Sequence, residues 1–239
     1  MTKPRIGTAG WTIPTALAEH FPVEGNGLER YAKRFHCAEI NSSFHRSHRA
    51  STWQRWAASV PADFRFAAKL SKTITHKQKL IDCDDLLTAA LAEMTQLGDT
   101  LAVVLVQLPP SLAFDTVVAL PFFDALRVRW GGGLACEPRH PSWFEAEPDT
   151  MLIRHRIARV AADPARVPQA AAPGGWRGLT YYRLHGSPAM YRSSYDDGRL
   201  DPYAAALAAD PAEERWCVFD NTASSAATGD ALKLQSLIG

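Results

Sequence analysis

The sequence predicts an α/β protein, a TIM-like (β/α)8 barrel built as one domain over residues 1–239, with the helix between strands six and seven reduced or absent. Three observations predict it. Short apolar runs begin near Ile6, Ala38, Phe64, Leu101, Gly133, Arg159, Leu179 and Arg215, at intervals of 20 to 37 residues. That spacing leaves room for a strand, a helix and two loops, the repeat of a parallel sheet. Eight such runs in 239 residues suit a closed barrel better than an open sheet. Almost every run also ends on a polar side chain, at the edge where a barrel carries its chemistry.

In chain order, the first run, Ile6-Gly7-Thr8, ends at Gly10-Trp11. The second contains Glu39-Ile40-Asn41, and a period of two puts Glu39 and Asn41 on one face. The third ends at Lys69, with His76 in the loop beyond. Asp84-Asp85 then opens a helical stripe of Leu86, Leu87, Ala90, Leu91, Met94 and Leu97, closed by Gly98. The fourth run, Leu101 to Val106, stops at Gln107 before Pro109-Pro110. The fifth carries Glu137 and Arg139 on one face, with His140 and Trp143 following. The sixth ends at Asp163. Pro164 to Gly178 holds four alanines, three prolines and three glycines, which predicts a loop where a helix is due. The seventh holds Arg183 and His185 on one face, and a loop with Tyr191, Arg192 and Tyr195 runs from there to Asp197-Gly198. Pro202 to Ala209 reads as a short helix. The eighth run ends Asp220-Asn221, and Ser224-Ser225 opens a last helix with Ala231, Leu234 and Leu237 at helical spacing.

Composition excludes several classes. Hydrophobic residues make up 46% and charged ones 21%, which rules out collagen, disorder and a disulfide scaffold. Lys and Arg number 26 against 25 acidic residues, so no global field supports a nucleic-acid or membrane partner. The longest apolar stretch is far short of the roughly 20 residues of a bilayer span. Met1-Thr2-Lys3-Pro4-Arg5 leads straight into the first strand without an export segment. Cys37, Cys83, Cys136 and Cys217 form no C-x-x-C pair, so buried reduced thiols in a cytoplasmic protein are expected.

The strand-end residues carry the candidate chemistry. Glu39, Glu137 and His185 are the candidates for proton transfer, since carboxylates and imidazole do acid–base work when their environments separate their pKa values. Trp11, Asn41, Lys69, His76, Gln107, Arg139, His140, Trp143, Asp163, Arg183, Tyr191, Tyr195 and Asn221 are the candidate ligand contacts. Cations beside aromatics suit an anion and a ring stacked next to it. A plainer reading stands beside each. Glu137 and Arg139 can form an ion pair across the mouth, Gln107 can bond a loop backbone, and His185 can be a satisfied structural imidazole. The two tyrosines can simply anchor their own loop.

The motifs Gly7-Thr8-Ala9-Gly10-Trp11, Glu39-Ile40-Asn41-Ser42-Ser43-Phe44 and Phe66-Ala67-Ala68-Lys69 with Ile74-Thr75-His76 resemble the YecE-like family, domain of unknown function 72. The resemblance continues through Val106-Gln107-Leu108-Pro109-Pro110, Glu137-Pro138-Arg139-His140-Pro141-Ser142-Trp143, Tyr182-Arg183-Leu184-His185-Gly186 and Phe219-Asp220-Asn221-Thr222. It implies a TIM-like barrel and brings no settled reaction. The chain departs from the family pattern at two places in the expected mouth. It has Phe44-His45-Arg46 where the family has Phe-Tyr-Arg, and Asp220-Asn221 where the family has Asn-Asn.

Three functions fit these residues. The first is an enzyme acting on a small phosphorylated or carboxylated, sugar-like compound, with Lys69, Arg139 and Arg183 holding the anion. The second is a metal-dependent phosphodiesterase or nuclease with Glu39, Glu137, Asp163 and His185 around a cation. Three cations in the same mouth and the lack of an H-x-H or H-x-x-x-H pair rank it below the first, so no metal ligands and no cofactor are assigned. The third is a binding protein without turnover.

Overall fold

The computed structural model describes residues 3–239; Met1 and Thr2, the start of the N-terminal run, lie outside the described residues. Ten strands are seen: β1 (Arg5–Ala9), β2 (Cys37–Ile40), β3 (Arg65–Lys69), β4 (Leu101–Gln107), β5 (Gly133–Glu137), β6 (Ile157–Arg159), β7 (Ala161–Asp163), β8 (Gly174–Gly175), β9 (Leu179–Leu184) and β10 (Glu214–Phe219). The α-helices are α1 (Gly27–Ala32), α2 (Ser42–His45), α3 (Ala50–Ala58), α4 (Asp84–Met94), α5 (Thr116–Arg129), α6 (Ala146–Arg154), α7 (Asp197–Ala209) and α8 (Ala226–Ile238).

The strands form one sheet in the order β7-β9-β10-β1-β2-β3-β4-β5-β6-β8. Every pairing is parallel except that of β6 with β8. The ends of this order are neighbours in the chain, because only Val160 separates β6 from β7. β6 pairs with β5 and β7 with β9, and the Val160 amide donates to the Cys136 carbonyl at 2.8 Å. The sheet is therefore a nearly closed barrel of ten mostly parallel strands. Ten segments stand where eight runs are expected, for two reasons. The sixth run divides at Val160 as it passes from one neighbour to the other, and Gly174–Gly175 adds a short antiparallel pair to its edge.

The segment between β7 and β9 contains only a four-residue 3-10 turn at Pro168–Ala171 and β8, so the helix ring is interrupted where the Pro- and Gly-rich composition placed a loop. Elsewhere local chemistry sets the helix ends. Asn26 caps α1 by accepting from the Leu28 and Glu29 amides, while the Glu29 carboxylate accepts from the Asn26 amide. Asp196 accepts from the Arg199 amide, which starts α7 at Asp197 rather than Pro202 and leaves Pro202 inside it.

Strand parity divides the core in two. Cys37, Ala67, Val103, Leu105, Ala135, Ala158, Val160, Tyr181, Trp216 and Val218 fill the barrel interior. Ile40, Phe66, Val104, Val106, Cys136, Tyr182, Leu184 and Phe219 face the outer layer, where the helices pack. All four cysteines are free and buried. Among the described residues no helix is long and apolar enough to cross a membrane.

Candidate functional site

The inward-facing positions turn from apolar to charged at the C-terminal ends of the strands. Continuing each interior row by two residues brings up Glu39, Lys69, Gln107, Glu137, Arg183 and Asp220, and two more beyond Arg183 bring up His185, all buried. Register keeps neighbouring strands level: Gln107 pairs with Glu137, and Val218 with Arg183.

Arg183 is the centre of this layer and has no exposed surface. Its Nε donates to Glu39 Oε2 at 3.0 Å, and its Nη2 to Glu39 Oε1 at 2.6 Å and Asp220 Oδ2 at 2.8 Å. Nη1 donates to Glu137 Oε2 at 2.5 Å. Tyr181 adds a hydroxyl donated to Glu39 Oε2 at 2.8 Å. Glu137 is surrounded more completely: Gln107 Nε2 donates at 3.1 Å, and Arg139 donates Nε and Nη2 at 3.1 and 3.0 Å. Burial alone would raise the Glu137 pKa, but Arg183, His185 and Arg139 hold it well below the usual carboxylate range. The same carboxylates hold Arg183 above its ordinary value against its burial.

His185 lies between two carboxylates, with Nδ1 3.1 Å from Asp220 Oδ2 and Nε2 3.2 Å from Glu137 Oε1. Burial works to lower its pKa. The charge of Glu137 and the hydrogen bonds the ring donates to both carboxylates outweigh that and raise it, favouring the imidazolium. Asp220 is held below its usual range, its burial outweighed first by Arg183 and then by His185. Tyr191, in the loop after β9 with a φ of 66°, stands edge-on to the His185 ring at 5.6 Å, and its hydroxyl is 3.5 Å from Arg139 Nη2.

Lys69 differs from the other cations. Its residue is only 7% exposed, yet among the described residues no carboxylate lies within ion-pair distance. Its ammonium rests 4.1 Å from the centre of the Phe44 ring. Burial, then the nearby Arg183, lowers its pKa to about 8, with Glu137, Glu39 and Asp220 opposing from farther off. His76 packs edge-on against the other side of that neighbourhood, 5.0 Å from Phe44. Burial, Lys69 and Arg139 together lower the His76 pKa.

The structure therefore brings together Glu39, Asn41, Lys69, His76, Gln107, Glu137, Arg139, Arg183, His185 and Tyr191. Asn41 joins through its amide, 3.4 Å from Asp220 Oδ1. Other candidates are engaged elsewhere. Arg183 directs its guanidinium at carboxylates of the chain itself rather than at an open position in the mouth. Asp163 has the wrong parity: Ala158 and Val160 face inward, and Asp163 instead accepts from the Tyr195 hydroxyl at 2.6 Å and from Arg199 at 3.2 Å. Tyr195 is wholly buried on that bond and on the Gly186 amide. Asn221 is likewise one residue out of phase with Asp220, and it bonds Asp230 on α8 at 2.6 Å and the Ser193 carbonyl at 2.9 Å. Trp143 is buried, donating to the Leu112 carbonyl at 2.9 Å and packing on Phe114 and Phe123. Trp11 packs on Trp56 and Phe66. His140 caps the turn at Pro141–Phe144 by accepting from the Ser142 amide.

Two residues enter the site unforeseen, Tyr181 and Arg166, while Asp220 and Phe44 stood in the expected mouth with no role assigned to them. Counting by two from Trp216 and Val218 reaches Asp220, and counting back from Arg183 reaches Tyr181, so parity was a usable signal for both. Phe44 comes from α2, at the end of the motif that begins in β2, and Arg166 comes from a loop that carried no such signal. Arg166 lines a small cleft with Glu137, Arg139, Ala162, Pro164 and His185. The groove of about 370 Å³ between α4 and α5 is lined by mostly apolar side chains and holds none of the expected residues. Among the described residues no group of three or more His, Cys, Asp or Glu is placed to hold a metal ion. The centre of the carboxylate ring, where a divalent cation would sit, is filled by the Arg183 guanidinium.

Comparison with known proteins gives the following. The family model described as "Protein of unknown function DUF72" matches residues 5–239. UPF0759 protein YecE of Escherichia coli strain K12 is 35% identical over 174 residues, 70% of this chain and 61% of that protein. Its counterpart in Escherichia coli O157:H7 is 35% identical over 140 residues, 58% of this chain and 49% of that one. The chain thus spans less than two thirds of the length of these curated relatives. A DUF72 family protein from Enterococcus faecalis V583 superimposes with a TM-score of 0.82 at 18% identity, covering 98% of this chain and 94% of that one. One from Thermotoga maritima MSB8 gives 0.79 at 20% identity, with 99% of each chain covered. At those identities the likeness shows the shared fold alone.

Proposed function

The chain belongs to the DUF72 family, and from that premise and the geometry of its barrel mouth we propose that it binds a small phosphorylated or carboxylated, sugar-like compound there and acts on it by acid–base chemistry. We read β6 and β7 as one bent strand, which makes the wall eightfold and the charged layer its C-terminal face.

One observation carries this reading. Lys69 is a buried cation without an anionic partner, in a mouth whose three carboxylates are turned toward Arg183, His185 and Arg139. A desolvated charge without a counter-charge is unfavourable, and a ligand anion beside Lys69 and Arg139 would supply one. His76 adds a third nitrogen base to that side. The partly dry mouth strengthens each contact. The proton donor is the His185 imidazolium, which Glu137 holds in place at 3.2 Å across Nε2 and Oε1.

Calorimetric titration with inorganic phosphate at pH 7 tests the binding. We expect saturable binding in the wild type, weakened about tenfold or more, or roughly 1.4 kcal/mol, by Lys69→Met and by Arg139→Gln. Arg129→Gln, which alters an exposed pair with Asp84, should leave it unchanged. Absence of binding, or equal losses in all three variants, rejects the reading.

A further inference from the structure

We propose that Lys69 is a covalent residue that condenses with the carbonyl group of an aldehyde or ketone to form an imine, so that the ligand of this mouth is an anionic carbonyl compound. The inference deepens the anion-binding reading above and rests on it for the ligand's charge. It stands first on placement. Lys69 is the last residue of β3, on the inward face, with 7% of its surface open.

The surroundings suit an amine nucleophile better than a structural cation. A structural lysine at this depth would be paired, yet Glu39, Glu137 and Asp220 all point to other cations. Among the described residues the only close partner of the ammonium is the face of Phe44, which attracts a cation weakly and supplies no counter-charge. With a pKa lowered to about 8, roughly a tenth of the molecules hold the free amine at pH 7. An ordinary lysine holds about one in a few thousand. His76 lies close enough to Lys69 and to Arg139 for both charges to lower its pKa, so an anionic group on the same ligand would meet cations on that side.

The step balances without oxidant or reductant. The Lys69 ammonium first loses a proton. Its nitrogen pair then forms a bond to the carbonyl carbon while the C=O π pair moves to oxygen, which takes up a proton as the nitrogen gives one up. The resulting carbinolamine loses that oxygen as water when a second proton arrives, and the nitrogen pair closes the C=N bond. In sum, ammonium and carbonyl give protonated imine and water.

The test uses two carbonyl probes on the full chain, pyridoxal 5′-phosphate and its uncharged counterpart pyridoxal. Borohydride reduction fixes any imine, and peptide mass spectrometry maps it over Lys69 and the six other lysines. We expect pyridoxal 5′-phosphate to be fixed on Lys69 at least tenfold faster than on any other lysine. Inorganic phosphate should slow that labelling, and Lys69→Arg should abolish it while the other lysines react as before. If both probes label Lys69 fast and phosphate gives no protection, the imine-forming lysine stands and the anion reading falls. If neither probe labels Lys69 faster than the exposed lysines, the inference is overturned, and phosphate calorimetry still judges the anion reading separately.

Discussion

At the scale of single residues, His185 is the group whose protonation the fold controls most directly. Two carboxylates face its two ring nitrogens, and its pKa is raised in the folded state. The stabilisation this gives is whole below the unfolded value of about 6.5 and is lost as pH rises through the folded value. Glu137 has the opposite sign. Its depressed pKa stabilises the fold above about 4.3, and that contribution disappears as pH falls through the folded value. Asp220→Asn keeps the shape beside His185 and removes one charge. The His185 titration midpoint, followed by NMR, should fall in that variant. Stability at pH 6 should drop by about 1–3 kcal/mol, and the loss of stability on raising the pH from there should become shallower. An unmoved midpoint would show that Asp220 does not govern the imidazole. Asp220 also marks how far single residues were legible. The choice between Asp220 and Asn221, like the choice of Asp163, depended on which parity faces inward, and the apolar neighbours Trp216 and Val218 settle it only once the interior row is known. The partners of Arg183 were beyond sequence, because Glu39 lies 144 residues away and nothing local announces the pairing.

At the scale of elements, the strands were legible because buried parallel strands are nearly continuous apolar runs. Seven of the eight expected starts fall within one residue of the strands observed, and the sixth within two. What the pattern missed was the division at Val160, since a change of pairing partner leaves no mark on hydrophobicity. The loop tyrosine Tyr195 reads equally as a ligand contact or as an anchor of its own loop until the packing of α7 and α8 around it is known. Packing between elements gives a sharper test at Gly7, on β1 opposite Cys37 of β2. A Cβ there would stand 2.2 Å from the Cys37 carbonyl oxygen and 2.9 Å from its sulfur. The first contact is with backbone, so the two strands must separate. Gly7→Ala should therefore cost about 3 kcal/mol or more, a fall in Tm of roughly 6–12 °C by thermal melting. Gly198→Ala, whose Cβ would meet only the Asp196 side chain at 3.7 Å, is the control and should melt near the wild type.

At the scale of the whole molecule, the Arg183 cluster is a tie across the barrel. One guanidinium on β9 reaches Glu39 at the end of β2, Glu137 at the end of β5 and Asp220 just after β10. Strands on opposite sides of the wall are thereby held at one end by charge, while the other end is held by apolar packing around Trp216, Tyr181 and Val103. Removing the cation should expose the difference. Arg183→Met replaces it with an uncharged chain and strands three buried carboxylates, of which Glu39 keeps only the Tyr181 hydroxyl. Breaking a buried pair from one side costs about 3–5 kcal/mol. For a chain of this size that lowers Tm by roughly 6–20 °C. Because the penalty is stranded negative charge, the gap between variant and wild type should narrow as pH is lowered and the carboxylates take up protons. Adding Glu39→Gln to Arg183→Met should recover part of the loss at neutral pH, although Glu39→Gln alone destabilises. A gap that is independent of pH and unrelieved by Glu39→Gln would mean that the guanidinium acts by filling space. Phosphate binding completes the measurement. Lys69 pairs with none of the tied carboxylates, and Arg139 shares only Glu137 with Arg183, so the folded fraction of Arg183→Met at low temperature should still bind phosphate within a few fold of the wild type. Loss of binding there would return Arg183 to the ligand.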